Sequence, residues 1–311
     1  MAGLEIERRQ RLSADEVAQV TRLVDEVTEA DGVRPLSEHV MLHLRYGGDT
    51  PARNLLGWLD SDNGRALAGY AHLDVTDPVD GASAELAVAP GLRRAGFGRQ
   101  LVGALLAETD GRLRLWAHGE QPAAAALAGS MGFARDRILW QLRRSLYAPL
   151  PAPELPPEVT VRTFVVGQDE ERWAVVNNRA FAGHPDQGHW TVEDVRQRER
   201  EPWFDPAGFF LAERRSGPDV QLVGFHWTKV HGADDGHGHQ PIGEVYVVGV
   251  DPSAQGQGLG PALTLVGLRH LRSRGLSSVL LYVDDTNTGA IKVYERLGFT
   301  RWDVDVSYRR N

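Results

Sequence analysis

The chain carries one order of sequence motifs twice, and this duplication limits the fold it can adopt. In the first half, Val88-Ala89-Pro90 precedes the glycine-containing segment Arg93–Gly98 and an apolar run. In the second half, Val250-Asp251-Pro252 precedes Gln255–Gly260 and a similar run, at a constant offset of 162 residues. A Met/Leu-Gly-Phe tripeptide follows in each half at an offset of 166 residues. This repetition indicates two copies of one structural unit.

The pattern of apolar and polar residues predicts the same succession of elements in each half. Each half begins with a helix and ends with a strand, and the glycine-containing segment lies between a strand and a helix. The predicted first helices are Ala14–Glu29 and Asp169–Ala182, and the predicted strands are Ala66–Asp74, Ala84–Val88, Leu113–Ala117, Ile138–Arg143, Gln221–Val230, Glu244–Val250, Val279–Val283 and Val304–Arg309. We expect each last strand to close its own half. The predicted fold class is α/β (α+β), a mixed, mostly antiparallel sheet flanked by helices.

Residues 148–159 separate the two halves and contain five prolines. Proline cannot continue a helix or pair within a central strand, so this segment is expected to be an extended spacer. A chain of 311 residues is also long for one hydrophobic core. We therefore predict domains over residues 1–147 and 160–311, joined by a linker over 148–159.

The composition excludes several classes of function. The chain has no cysteine, which rules out disulfides, cysteine nucleophiles and thiolate metal sites. Its formal net charge of −8 argues against binding to nucleic acid, which requires a basic surface. The N-terminus lacks the apolar core of a signal peptide, and no apolar run approaches the ~18 residues of a membrane span. We expect a cytoplasmic, monomeric protein.

The glycine-containing segments predict an anion site in each half. Gly96, Gly98, Gly258 and Gly260 allow the backbone to curl so that several N–H groups converge. A helix follows each segment, and the positive end of its dipole favours a bound phosphate. A pyrophosphate group can therefore bind to an acidic chain without a broad basic patch.

A strand, then Q/R-x-x-G-x-G/A, then a helix resembles the core of the GNAT acetyltransferase superfamily. The resemblance implies two tandem GNAT acyl-CoA N-acyltransferase domains that use acetyl-CoA as co-substrate. It also implies an oxyanion role for a backbone N–H near Val248 and either a cap or a coenzyme contact at Asn287. The cofactor-binding residues it implies are Leu86, Ala87, Val88, Arg93, Arg94, Ala95, Gly96, Phe97, Gly98, Val248, Gly249, Val250, Gln255, Gly256, Gln257, Gly258, Leu259, Gly260, Pro261, Asn287, Thr288, Gly289, Ala290, Ile291 and Lys292.

Only the second half has residues suited to catalysis. Glu244 precedes the glycine-containing segment on a strand and could accept a proton from an amine, while Tyr294 could donate one to a departing thiolate. The two offsets align these positions with Ala82 and Ala128. Glu85 lies three residues farther along its strand, where alternation would turn it to the other face. We predict a catalytic second half and a silent first half; the alternatives are a solvated carboxylate at Glu244 and a packing aromatic at Tyr294.

Further segments are more specific than the glycine loop. They are Asn177–Pro185, Glu201–Pro206, Gly224–His231, Gly243–Val247, Leu280–Val283, Asp31–Val33 and Leu115–Gly119. These segments closely resemble the mycothiol synthase family over nearly the whole chain. The resemblance implies acetylation of the cysteinyl amine of a cysteine–glucosamine–inositol precursor, with substrate contacts at Glu38, Asp186, Lys229, Glu244 and Tyr282. Aspartate at position 186 departs from the glutamate that the family favours.

Other interpretations stay open at this point. The acceptor could be an aminoglycoside, a polyamine or a protein N-terminus, or both halves could sense acyl-CoA without catalysis. Glu244 and Tyr294 argue against a purely sensing role. The group His231, Asp234, Asp235, His237 and His239 has donor types that bind zinc, but it lies in a glycine-rich hairpin tip and acetyl transfer needs no metal. We predict no metal site.

Overall fold

The computed structural model describes residues 4–47, 53–61, 64–76, 81–183, 187–232 and 240–311. The chain forms two compact units, which we call unit 1 and unit 2. Unit 1 comprises Met1–Leu139 and Asp303–Asn311, and unit 2 comprises Trp140–Trp302.

Regular structure follows the same order in both halves of the sequence. The strands are β1 (Glu5–Arg9), β2 (Arg53–Ser61), β3 (Gly64–Asp74), β4 (Ser83–Val88), β5 (Leu113–Ala117), β6 (Ala134–Ser145), β7 (Val159–Thr163), β8 (Phe209–Ser216), β9 (Asp219–His231), β10 (Ile242–Val250), β11 (Ser278–Asp284) and β12 (Thr300–Arg310). The helices are α1 (Ala14–Asp31), α2 (Glu38–Tyr46), α3 (Phe97–Glu108), α4 (Pro122–Ser130), α5 (Glu170–Ala180), α6 (Val192–Glu199), α7 (Leu259–Ser273) and α8 (Thr288–Arg296). The predicted strands and first helices are confirmed. The sequence pattern missed β1, β2, β7, β8, α2 and α6.

Unit 1 is a sheet covered by helices on both faces. Its strand order includes β1-β2-β3-β4-β5-β12, antiparallel except for the parallel pair β4–β5. Residues of α1 and α2 pack with Tyr70 and Ala87 on one face. Residues of α3 and α4 pack with Ala71 and Ala84 on the other. The apolar stripes of these helices thus bury both faces of the sheet.

Unit 2 repeats this arrangement. Its strand order includes β6-β11-β10-β9-β8-β7, and β10–β11 is the parallel pair. Trp173 of α5 and Val195 of α6 pack with Trp227 and Val247 on one face. Residues of α7 and α8 pack with β11 on the other. Each unit therefore has the predicted mixed, mostly antiparallel sheet between layers of helices.

The last strand of the chain completes the sheet of unit 1. Tyr308 and Val306 of β12 pair with Leu115 and Ala117 of β5, and their side chains join the unit 1 core. The expectation that the last strand closes the second half was wrong. Residues 303–311 belong to unit 1, so they depart from the division expected at the linker. Sequence periodicity predicts a strand but not its partner, because the partner is chosen by long-range pairing.

The proline-rich segment is irregular, as predicted, and it packs on unit 2. Regular structure stops at Ser145 and resumes at Val159. Leu150 is buried in the core that includes Leu268, and its carbonyl oxygen accepts a hydrogen bond from Arg269 Nη1 at 3.4 Å. The segment is therefore attached to unit 2 at Leu150.

None of the helices in the described ranges combines the length and the apolar character that crossing a bilayer requires.

Deleting residues 303–311 should destabilise unit 1 although they are the last residues of the chain. Losing Tyr308 alone should cost about 3–5 kcal/mol, as for other large aromatic side chains removed from a core, and β5 would also lose its ladder partner. We expect the truncated chain to lose one cooperative transition in thermal unfolding followed by circular dichroism. Deleting only the exposed Asn311 is the matched control, and equal melting curves for the two deletions would contradict the strand assignment.

Candidate functional site

The two parallel strands of each unit separate soon after they begin to pair. In unit 2, β10 and β11 pair at Gly243–Val279 and Glu244–Leu280, although both strands continue beyond these residues. In unit 1, β4 and β5 pair at Ser83–Arg114 and Ala84–Leu115. The strands diverge beyond these pairs, and the divergence opens a gap in each sheet next to the glycine-containing segment.

Backbone donors of β10 point into the unit 2 gap. Asp251 N donates to Val223 O at 2.9 Å, so these two residues form a hydrogen-bonded pair at the end of the β9–β10 ladder. Because closely and widely spaced pairs alternate in an antiparallel ladder, Gly249 and Val247 also bond to β9. The N–H of Val248 therefore points away from β9 and toward the gap. This orientation fits the predicted oxyanion role of Val248.

A β-bulge in β10 distinguishes the two units. The β9–β10 register shifts between Val245 and Val247, so Tyr246 is an extra residue, whereas the β3–β4 register is regular from Ser83 to Val88. Glu244 pairs with Lys229 and Leu280. The same ladder position in β4 is held by Ser83, which pairs with Asp74 and Arg114.

The bulge corrects the sequence alignment of the two strands. The constant offset placed Glu244 against Ala82, but the extra residue shifts the match to Ser83, since bulges insert one residue into one strand. Neither Ala82 nor Ser83 has a carboxylate, so the first unit still lacks a counterpart of Glu244. The α8–α4 match is unaffected by the bulge, and Ala128 stands where Tyr294 lies in unit 2.

The bulge also places Glu85 on the face that corresponds to that of Glu244. Glu85 of β4 corresponds to Val247 of β10. Glu85 pairs with His72 of β3, as Val247 pairs with Trp227 of β9. Glu244 is three residues before Val247, and regular alternation would place the two side chains on opposite faces. The extra residue Tyr246 cancels one step, so they lie on the same face. The expectation that alternation turns Glu85 to the other face was therefore wrong.

Glu85 is held by a buried ionic cluster. Its Oε2 accepts a hydrogen bond from Ser37 N at 2.5 Å and lies 3.4 Å from His118 Nε2. His118 Nδ1 lies 2.9 Å from Asp305 Oδ2, on β12. Burial disfavours the imidazolium, but the two carboxylates outweigh it and raise the pKa of His118 to about 10. Burial likewise disfavours the Glu85 carboxylate, but His118 and Ser37 keep its pKa below the usual value.

Three of the predicted substrate residues share one face of the unit 2 sheet. Lys229 and Glu244 are directly opposite each other, and Tyr282 lies two residues beyond Leu280 on the neighbouring strand. Lys229 and Glu244 are buried, whereas Tyr282 is 44% exposed. The Tyr282 hydroxyl accepts a hydrogen bond from Gln141 Nε2 at 2.8 Å. These strands gather two charged groups and a phenol beside the gap.

Three residues that were not among the predicted site residues also lie near this face. Lys229 Nζ lies 4.5 Å from the ring centre of Trp203 and 5.3 Å from that of Tyr246, a cation–π arrangement. Glu244 Oε2 lies 2.6 Å from His231 Nε2. The sequence could have predicted that His231 lies on this face, because Lys229 and His231 are two residues apart on one strand and therefore share a face.

Two other predicted substrate residues, Glu38 and Asp186, stay predictions. Glu38 begins α2 of unit 1 and is half-buried. Asp186 lies outside the described residues, as do Asp234, Asp235, His237 and His239 of the possible metal group. His231, the member of that group that the structure describes, contacts Glu244.

Tyr294 lies on the other face of the unit 2 sheet. It packs with the core that contains Val245 and Leu281, and its ring centre is 5.7 Å from that of Phe299. Burial raises the pKa of Tyr294 to about 12. Its phenol is therefore protonated at neutral pH and can donate a hydrogen bond.

The glycine-containing segments adopt closely similar backbones. Gly96 and Gly258 cap α3 and α7 with φ of 86° and 78°, in the left-handed region that favours glycine. Gly256 also has φ of 78°, whereas its unit 1 counterpart Arg94 adopts φ of 67° without being glycine. In unit 1, Arg93 binds the Asp31 carboxylate through two hydrogen bonds of 2.7 and 2.8 Å.

Asn287 acts as the N-cap of α8, as one of its two predicted roles requires. Its Oδ1 accepts a hydrogen bond from Ala290 N at 3.1 Å. The cap orients the first turn of α8, whose residues Thr288–Lys292 are predicted to contact the coenzyme.

A cleft of about 510 Å³ lies in unit 1 beside its glycine-containing segment. Val88, Gly96 and Phe97 form one wall, and His118 also lines the cleft. The opposite wall is α4, which presents the small side chains of Ala123, Ala124, Ala126 and Ala128. Ala128, at the position of Tyr294 in unit 2, contributes only a methyl group to this wall.

Comparison with known proteins places these two units in one family. The model of the Acetyltransferase (GNAT) family matches residues 22–133 and 172–299. A tandem GNAT protein from the clavulanic acid biosynthesis pathway has the same fold, with a TM-score of 0.71, 20% identity and 98% of each chain covered. The fold is thus that of a tandem GNAT acetyltransferase.

Two relatives are similar to the chain along nearly their whole length. The mycothiol acetyltransferase of Streptosporangium roseum is 57% identical, covering 98% of this chain and 99% of the relative. That of Acidothermus cellulolyticus is 59% identical, covering 99% and 95%. The chain belongs to the mycothiol acetyltransferase family of GNAT enzymes.

Replacing His118 with glutamine should destabilise unit 1 in a pH-dependent way. Removing the imidazolium leaves buried carboxylates unpaired, at a cost of about 3–5 kcal/mol. Because folding raises the pKa of His118 from 6.5 to about 10, its contribution is complete below pH 6.5 and is lost as the pH rises through 10. Urea unfolding should therefore show a larger difference between wild type and H118Q at pH 7 than at pH 10.

The matched control for H118Q is H39Q. The His39 side chain is 63% exposed and lies 3.5 Å from Asp74, so its ion pair should contribute little to the free energy of unfolding. An equal effect of H39Q and H118Q, or a difference that does not depend on pH, would contradict the role of the buried cluster.

Proposed function

We propose that the chain transfers an acetyl group from acetyl-CoA to the cysteinyl amine of a cysteine–glucosamine–inositol precursor. The observation that carries the proposal is the position of Glu244 beside the gap between β10 and β11, on one face with Lys229 and Tyr282. The names of the 57% and 59% identical relatives support the choice of substrate. A small polyhydroxylated substrate with one amine suits this mixture of donors and acceptors.

The unit 2 segment around Gly256 and Gly258 would hold the coenzyme pyrophosphate at the N-terminus of α7. Both glycines have positive φ, and a Cβ added to either would meet open space, so the backbone is accessible to a ligand. Converging N–H groups and the helix dipole favour the anion there. When bound, acetyl-CoA supplies an acetyl thioester as the electrophile. The chain needs no metal for this chemistry.

Glu244 serves as the general base. An α-amino group has a pKa of about 7.7–8.0, well below that of a lysine ammonium at about 10.4, so a positioned carboxylate suffices as the base that takes its proton. The N–H of Val248, which points toward the gap, donates to the carbonyl oxygen as negative charge develops on it. Lys229 and Tyr282 hold the acceptor so that its nitrogen faces the gap.

Tyr294 serves as the general acid for the departing sulfur. Its pKa of about 12 keeps the phenol protonated, but it exceeds the pKa of a thiol, about 8.5, by roughly 3 to 4. Donation of a hydrogen bond to the developing thiolate is therefore more favourable than complete transfer to a free one. The position of Tyr294 on the opposite face from Glu244 separates the acid from the base.

Unit 1 binds acetyl-CoA without transferring its acetyl group. The cleft of about 510 Å³ and the loop at Gly96 support binding. Ser83 and Ala128 replace the base and the acid, and His118 already holds Glu85. The pKa of His118 is raised to about 10 and that of Glu85 is lowered, so this carboxylate stays ionised and paired with an imidazolium, which makes it a weak base.

Replacing Glu244 with glutamine should reduce turnover by ~100-fold or more, because the variant keeps the size of the side chain but loses the base. Acetylation of the cysteinyl precursor can be followed by mass spectrometry, which separates the product thiol from coenzyme A. Turnover of aminoglycosides or polyamines but not of the precursor would contradict the proposed substrate. Full activity of E244Q would remove Glu244 from the mechanism.

Replacing Gly96 or Gly258 with valine should separate the functions of the two units. A β-branched residue is strained at positive φ, so each change should distort one loop only. We expect G258V to lower the transfer rate at least tenfold, and G96V to lower bound acetyl-CoA from two molecules per chain to one with a smaller effect on rate. Calorimetric titration gives the stoichiometry. Equal losses of rate would show that unit 1 takes part in catalysis.

A further inference from the structure

His231 lies at the edge of the proposed site and has no part in the mechanism described above. We propose that His231 carries protons from Glu244 to solvent during acetyl transfer. The inference rests on the proposed function, in which Glu244 is the base. It adds a second residue to the proton path, one that the sequence indicated only as a member of a possible metal group.

The geometry of the pair supports direct transfer. His231 Nε2 and Glu244 Oε2 are 2.6 Å apart, within the range of a strong charge-assisted hydrogen bond. Lys229 and His231 share a face of β9, and Glu244 is opposite Lys229. The Glu244 side chain is 10% exposed and that of His231 is 33% exposed. The histidine therefore connects a nearly buried carboxylate with water.

The other polar groups around Glu244 are poor proton acceptors. Lys229 is opposite it on β9, and an ammonium group has no lone pair to accept a proton. The Tyr246 hydroxyl, on the same strand as Glu244, accepts a hydrogen bond from Arg198 Nε of α6 at 2.6 Å. The Arg198 guanidinium is itself a donor only. Of the described groups near Glu244, His231 combines an acceptor nitrogen with contact to solvent.

The reaction requires such a path when the acceptor binds as an ammonium ion. Below about pH 7.7 an α-amino group is mostly protonated. Converting an ammonium and a thioester into an amide and a thiol then releases one proton per turnover. Above about pH 8 the amine binds neutral, and no net proton has to leave the site.

The proposed transfer starts from an ionised Glu244 carboxylate that accepts the Nε2 hydrogen of a neutral His231. The ammonium gives a proton to this carboxylate, and the ring exchanges its Nε2 hydrogen for one on Nδ1 through solvent. The acid then gives its proton from Oε2 to Nε2, and the imidazolium releases its Nδ1 hydrogen to water, which restores the starting pair. The neutral amine nitrogen is left with the lone pair that forms the C–N bond as the C–S bond breaks.

Two variants at His231 distinguish proton transfer from positioning. H231Q keeps an amide donor for the Glu244 carboxylate but cannot carry a proton, whereas H231A removes both functions. For the cysteinyl precursor, we expect both variants to lower kcat about tenfold or more at pH 6.5 and to approach the wild-type rate at pH 9. Added imidazole should restore much of the H231A rate at pH 6.5, because the ring position is partly open to solvent.

Calorimetric titration of the acceptor supplies a second measurement, in which both variants should bind with wild-type affinity. A wild-type rate for H231Q at pH 6.5, or an equal loss of rate at every pH, would overturn proton transfer in favour of positioning. Added imidazole should not restore E244Q, which serves as the control. If the wild type does not acetylate the precursor, the proposed function fails, and if E244Q keeps full activity, Glu244 is not the base and the role of His231 falls with it. An inactive E244Q beside a fully active H231A overturns only the role of His231.

Discussion

The separation of β10 from β11 after Glu244 is the constraint on which the candidate site depends. Two parallel strands that stop pairing leave backbone donors of the central strand directed into a gap, where a thioester carbonyl can reach them. The bulge at Tyr246 lies next to this point and sets which side chains face the acceptor. Because the bulge adds one residue, Glu244 comes to share a face with Lys229, Tyr282 and His231. The chemistry therefore depends on backbone geometry as much as on residue identity.

The two units show how a duplicated domain can become unequal through few changes. Unit 1 keeps the strand gap and the loop at Gly96, but its regular β4 register presents Ser83 where unit 2 presents Glu244. The carboxylate of Glu85, on the same face, is paired with His118. A raised histidine pKa and a lowered glutamate pKa describe an ion pair stabilised by folding, which differs from a base free to exchange protons. The same fold thus supports structural electrostatics in one unit and proposed proton transfer in the other.

Much of the fold could be predicted because its signals are local. The glycine loops, the strands beside them and the helices that follow repeat at nearly constant spacing, and each was found where expected. The misses have physical reasons. The short outer strands such as β1 and β7 have weak periodicity, and β12 pairs with β5 although 182 residues lie between the end of β5 and the start of β12. The choice of a strand partner is a long-range interaction that hydrophobic alternation does not encode.

The sequence alone determined the duplication, the glycine loops, the family resemblance and the presence of Glu244 and Tyr294 in one half only. These features are properties of residue type and spacing, so they can be read without coordinates. Only the tertiary structure decided that Ser83 rather than Ala82 matches Glu244, that Glu85 lies on the equivalent face, and that His231 contacts Glu244. A one-residue bulge reverses the orientation of every side chain before it, and its presence is visible only in the pairing of two strands.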